Sequence, residues 1–183
     1  PMLGAALSAG ICSVGGDVLD VGVLPTPAMA YLVRLYEADA AVMISASHNP
    51  MEYNGIKWFD GNGLKLSDEI EDRIEEIIFS GEEIPRPEGR DVGRIIQAVR
   101  ARQDYCDYLV EQSTGRFEGQ RVVLDCANGA ASGIAREVFE RLGAEVISKS
   151  SAPDGFNINN HCGSTHPERL QEMVVNYGAD LGF

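Results

Sequence analysis

The stretch Ile44-Ser45-Ala46-Ser47-His48-Asn49-Pro50, followed closely by Tyr53-Asn54-Gly55-Ile56-Lys57, decides how the rest of the chain is read. Two apolar runs, Asp17–Leu24 and Ala40–Ile44, flank a helical pattern between Pro27 and Glu37. Strand, helix and strand of this length read as a βαβ unit with parallel strands and a right-handed crossover. Ser47 then falls just past the carboxyl end of the second strand, where ligands bind in open α/β sheets. A hydroxyl stands there with the His48 imidazole beside it and the Lys57 ammonium further on.

Outward from that stretch the same alternation continues. Pro1–Ser13, rich in small apolar residues, reads as the end of a helix stopped at Gly15-Gly16. Met29, Leu32, Val33 and Tyr36 give a helical stripe, and Gly55–Asp60 reads as a further strand closed by Asp60-Gly61-Asn62-Gly63. Ser67 is placed to cap a helix whose first turn carries Asp68, Glu69 and Glu71, with Ile70, Ile74, Ile77 and Ile78 facing the core and Gly81 as its stop. Glu82–Asp91, holding Pro85, Pro87 and Gly89, breaks all periodicity and reads as a linker. Beyond it the pattern predicts a long helix from about Ile95 to Gln112, strand Arg121–Cys126, helix Ala131–Leu142 and strand Ala144–Ser148. A polar loop Ser150–Thr165, a helix near Pro167–Tyr177 and a strand start at Ala179–Phe183 complete it. That last run has no evident partner, so disorder or pairing with a neighbouring molecule is expected of it. The economical account is α/β: two consecutive three-layer α/β/α domains with mixed, mainly parallel sheets, divided as 1–90 and 91–183.

A net charge of −13 without any basic run argues against a nucleic-acid partner, though a small phosphorylated ligand needs only a few local donors. Cys12, Cys106, Cys126 and Cys162 form no C-x-x-C pair, which points to reduced thiols in a cytoplasmic protein. No apolar run approaches the roughly 20 residues that cross a bilayer, so no membrane partner is expected. The opening on Pro1, without an initiator Met or a signal peptide, reads as a piece of something longer.

Ser47 lacks the glycines of a G-x-S-x-G elbow, and the adjacent His48 is poorly placed for a triad, so acyl transfer is disfavoured. A serine that carries a phosphoryl group needs in-line access, a cation and a proton carrier, and His48 and Lys57 supply part of this. The bland alternatives are a turn held by Asn49 before Pro50 and an exposed edge lysine at Lys57. His161 with Cys162 imitates a metal pair but lacks further ligands at sensible spacing. Asn128-Gly129-Ala130-Ala131-Ser132-Gly133 either presents backbone N–H groups to an anion or allows close helix–strand packing.

Ser45-Ala46-Ser47-His48-Asn49-Pro50 with Tyr53-Asn54-Gly55-Ile56-Lys57 closely resembles the phosphoserine loop of the α-D-phosphohexomutases. Asp125-Cys126-Ala127-Asn128-Gly129-Ala130, Asn157-Ile158-Asn159 and Cys162-Gly163-Ser164-Thr165-His166 are similar to the branch that acts on glucosamine phosphates. The resemblance implies that Ser47 is phosphorylated and is a ligand of Mg²⁺. Phosphate would pass from it to glucosamine 6-phosphate, giving a sugar bisphosphate, and return from the other end to leave glucosamine 1-phosphate. His48 and Lys57 would orient or protonate the oxygens. It also implies four domains, of which this is the N-terminal portion, with the remaining metal ligands after Phe183. Asp180 would belong to the strand entry, not to the metal. The chain alone is then expected to be inert, and a homodimer is compatible with it. Mannose- or glucose-phosphate mutases of the same superfamily are the alternative, as is an α/β protein that binds a sugar phosphate without chemistry.

Overall fold

A computed structural model describes residues 2–81 and 83–183. The start of the first expected helix at Pro1 and of the expected linker at Glu82 lie outside the described residues. The chain divides into two compact units, one holding residues 2–22, 29–44 and 56–99, the other 23–28, 45–55 and 100–183.

In the first unit, α1 (Met2–Ser13) precedes β1 (Val18–Asp20), and the greater part of α2 (Thr26–Leu35) leads into β2 (Ala40–Ser45), which belongs to it up to Ile44. Met29, Leu32 and Val33 of α2 are buried along one face, as their spacing predicts. β2 pairs with β3 (Gly55–Asp60), while β1 pairs in parallel with β4 (Ile95–Gln97). The expected βαβ unit is therefore corrected: β1 and β2 belong to separate two-stranded ladders. The expected long helix from Ile95 is corrected as well. Ile95 and Ile96 are β-branched and join a strand, and the helix, α4, begins only at Ala101 (Ala101–Gln112). The β1–β4 register is held at both ends by aspartates. Asp17 accepts the Arg94 backbone N–H at 2.8 Å, and Asp20 accepts the Gln97 side chain at 3.1 Å.

α3 (Asp68–Ser80) ends at Gly81, whose φ of 68° is the left-handed stop that glycine suits. Ser67 occupies the N-cap, yet its hydroxyl makes no capping bond to the helix backbone and instead serves the Glu69 carboxylate. Of the expected stripe, Ile74 and Ile77 are half-buried, but Ile70 and Ile78 are 49% and 67% exposed. Ile70 lies in the opening turn and Ile78 at the margin of the arc, about 100° per residue around the axis.

The second unit is built on β5 (Arg121–Asp125), flanked in parallel by β6 (Glu145–Lys149) and β7 (Leu181–Gly182). Val122, Val123 and Leu124 are buried on both faces of β5, as a central parallel strand requires. α5 (Ala135–Arg141) and α6 (Pro167–Asn176) complete the alternation. Phe117, Phe139 and Phe183 cluster at the edge of this core, with centroids of 5.1 Å for Phe117–Phe139 and 5.2 Å for Phe139–Phe183. The expectation of a disordered or intermolecular last strand is corrected, because Leu181 and Gly182 register against Val122 and Val123. Both units are α/β with parallel strand pairing, as the sequence predicts.

The Gly22 backbone N–H, and after it the Gln97 side chain, hold the Asp20 carboxyl below the usual carboxylate range. Its folded pKa being lowered, Asp20 contributes stability above about pH 4 that is lost as pH falls through the lowered value. Asp20→Ala is expected to cost roughly 0.5 kcal/mol at pH 7, a figure reduced for solvent exposure, and progressively less below pH 4. Urea midpoints of both proteins at pH 7 and pH 3 check this.

Candidate functional site

The carboxyl end of β5 organises two loops through one carboxylate. Asp125 accepts the Ala127 N–H at 3.0 Å on one oxygen and the Gly163 N–H at 2.8 Å on the other. Asn128 then ties the second loop down: its side chain donates to the Asn157 carbonyl and accepts the Ala152 N–H, both at 3.2 Å. Gly163 has φ 80° and sits so close to Ala127 that a Cβ there would meet the Ala127 Cβ at 2.7 Å, so only glycine closes this turn. Cys162 is 1% exposed beneath the loop, its Sγ facing the Asn128 amide at 3.9 Å. Asp180, named in the sequence as a strand-entry residue, accepts the Arg121 N–H at 2.8 Å.

The same unit holds the segment after β2. Ser47 is exposed, with φ 56°, and its N–H donates to the Ser45 hydroxyl at 3.0 Å. Asn49 donates its N–H to Ala46 O at 3.0 Å, closing the turn around His48. The Asn159 side-chain amide donates to Ser47 O at 3.1 Å and to Asn49 O at 2.8 Å. Asn159 has φ 55° and is itself pinned by its backbone N–H to Ala127 O at 2.9 Å.

These two loops line a cleft of about 410 Å³. His48, Pro50, Met51 and Glu52 come from one side and Phe156, Ile158, Asn159, Asn160, His161, Thr165 and His166 from the other. Three imidazoles, a threonine hydroxyl and one carboxylate make this wall rich in hydrogen-bonding groups. The His161 and His166 rings lie 5.7 Å apart.

Of the residues singled out in the sequence, His48 lines the cleft and Ser47, the residue before it, does not; Lys57 is an exposed residue of β3 in the first unit and is not among the lining residues. In the run from Asn128, the N–H groups of Asn128, Gly129, Ser132 and Ile134 already serve the carbonyls of Ser150, Cys126, Gly129 and Ala131. Among the described residues no group of three or more His, Cys, Asp or Glu is placed to hold a metal ion. The roles of Asp125 and Asn159 escape sequence reading; the signal was the Asn157–Asn160 run, since asparagine tolerates left-handed backbone better than other side chains.

Residues 1–85 match the family described as phosphoglucomutase/phosphomannomutase, alpha/beta/alpha domain I. The whole chain also superposes on a phosphoglucomutase/phosphomannomutase family protein from Burkholderia thailandensis with a TM-score of 0.78 and 28% identity, covering 41% of that chain. The chain is thus similar to the N-terminal part of phosphoglucomutase/phosphomannomutase family proteins. The sequence is 54% identical over 181 residues to a phosphoglucosamine mutase of Thermoanaerobacter sp. (strain X514) and 57% over 182 residues to that of Clostridioides difficile (strain 630). Either alignment takes in 99% of this chain, which spans only 40% and 41% of the two relatives' lengths.

Removing the Asp125 carboxylate leaves two half-buried N–H groups without acceptors, at about 1–3 kcal/mol each. Asp125→Ala is expected to lower stability by about 2–3 kcal/mol and to expose the Cys162 thiol to an aromatic disulfide reagent under native conditions. A Cys162 that remains as unreactive as in the unsubstituted protein contradicts the anchoring role.

Proposed function

We propose that this chain is part of a phosphoglucosamine mutase in which Ser47 carries the phosphoryl group. The observation behind the proposal is an exposed hydroxyl held in left-handed backbone just beyond the carboxyl end of β2, next to an imidazole-lined cleft. The identity to phosphoglucosamine mutases supports the sugar.

In the first half-reaction the C1 hydroxyl of glucosamine 6-phosphate attacks the phosphorus on Ser47. The O1–P bond forms as the Oγ–P bond breaks; the C1 hydroxyl loses its proton and Oγ gains one. The resulting 1,6-bisphosphate turns over, and Ser47 Oγ attacks the phosphorus at the C6 end. Glucosamine 1-phosphate leaves and the serine is phosphorylated again. Ser47 is suited to this because it is exposed to solvent. His48, adjacent in sequence and lining the cleft, is a group able to hold or hand over a proton. Lys57 is assigned the supporting cation on the resemblance of its motif.

A divalent cation such as Mg²⁺ serves phosphoryl transfer by neutralising charge on the moving group. The described residues do not by themselves fit such an ion: Ser47 offers one oxygen, and no acidic cluster accompanies it. No step above runs through it. A second reading, a mutase for mannose or glucose phosphates, is favoured by the description of the family that residues 1–85 match.

Incubation of the whole protein with glucose 1,6-bisphosphate is expected to add about 80 Da at Ser47, and Ser47→Ala to abolish that label. The same change should lower mutase turnover by roughly a thousandfold or more. The 183-residue chain alone is expected to show none. Turnover within tenfold of normal in the Ser47→Ala protein rules out the proposal; preference for mannose or glucose phosphate over glucosamine phosphate selects the second reading.

A further inference from the structure

A serine with φ 56° sits in a region where a side chain with a Cβ is strained, and such a conformation persists only when its surroundings enforce it. Local bonds fix part of the turn: the Ser45 hydroxyl holds the Ser47 N–H, and Ala46 O holds the Asn49 N–H. Neither restrains the carbonyls that follow Ser47 and Asn49. Both carbonyls are taken by a single donor group, the Asn159 amide, from more than a hundred residues away in the chain. Each of its two N–H bonds has a separate target, and the two targets flank His48.

We infer that Asn159 is a positioning residue for phosphoryl transfer, a clamp that sets the direction of Ser47 Oγ and His48 by fixing the peptides on either side. This rests on the proposed role of Ser47. The clamp also joins nucleophile and cleft, because the loop that carries Asn159 supplies His161, Thr165 and His166 to the cleft wall. A neutral double donor is required. A carboxylate at the same place offers no hydrogen, turns its charge on two carbonyl oxygens and opposes a phosphate on the adjacent serine.

Two substitutions separate the clamp from the backbone it sits on. Asn159 has φ 55°, a conformation that Asp and Gly both tolerate, so Asn159→Asp and Asn159→Gly keep the turn while removing the donors. In the whole protein both are expected to lower kcat by roughly ten- to a hundredfold, the scale of a misplaced reacting group, with KM for the sugar phosphate within about threefold. Hydrogen exchange of residues 45–55 should accelerate in both. The Asp variant should be the slower enzyme of the two. Turnover within twofold of normal in both variants, or unchanged exchange at 45–55, overturns the inference. If the unsubstituted enzyme works without phosphorylating Ser47, the mutase reading itself fails, and the exchange rates alone then decide whether the clamp exists.

Discussion

One carboxylate at the end of the central strand holds the second unit's functional geometry in place. Asp125 receives an N–H from each of two loops on its separate oxygens, so the loops are positioned against the strand end and hence against each other. From Gly163 the constraint passes along the Asn157–His166 segment to Asn159, and from Asn159 to the carbonyls of the Ser47 turn. Two half-buried bonds to one carboxylate are individually modest. Their importance lies in position, since they join a rigid strand to otherwise irregular backbone, and sites built on rigid elements hold their geometry better than sites built on loops alone.

The turn after β5 carries glycine and small residues in the pattern of an anion-binding nest, yet several of its N–H groups already have carbonyl partners. Its small residues serve close packing: Gly129 approaches the Cys126 carbonyl, and Gly163, lacking a Cβ, leaves room for the Ala127 methyl. Polar groups concentrate in the cleft, where three imidazoles, a threonine hydroxyl and two asparagines share the lining with Met51, Phe156 and Ile158. Such a mixture of apolar wall and few polar groups is typical of sites for small molecules.

Much of this was legible in the sequence for physical reasons. Val122–Leu124 read as a buried strand because a central parallel strand is apolar on both faces, and Gly81 read as a helix stop because few other residues take its backbone angle. Ser47 stood out because strand ends in α/β proteins are where ligands bind. The failures share one cause, that pairing partners far apart in sequence leave no local trace. Ile95-Ile96 fitted a helical pattern until β1, some 77 positions earlier, was seen to claim it through Asp17 and Asp20. Asn159 is the same case in the site: nothing within its own neighbourhood says that its amide is meant for a turn 110 residues away.

Ser47, Ala127, Asn128, Ser150, Asn159 and His161 all lie in the second unit with φ between 46° and 56°, although none is glycine. At on the order of 1 kcal/mol apiece, less for the asparagines, this is a standing tension that the unit's core must outweigh. Evolution could have relieved it cheaply in some places, and Ala127→Gly is a change by which an engineer would firm the scaffold. At Ser47 no such relief exists, because the substitution that relaxes the backbone also deletes the hydroxyl. On the role proposed for Ser47, robustness and chemistry are set against each other at that one residue, and a thermostable version of this protein would have to gather its extra stability everywhere else.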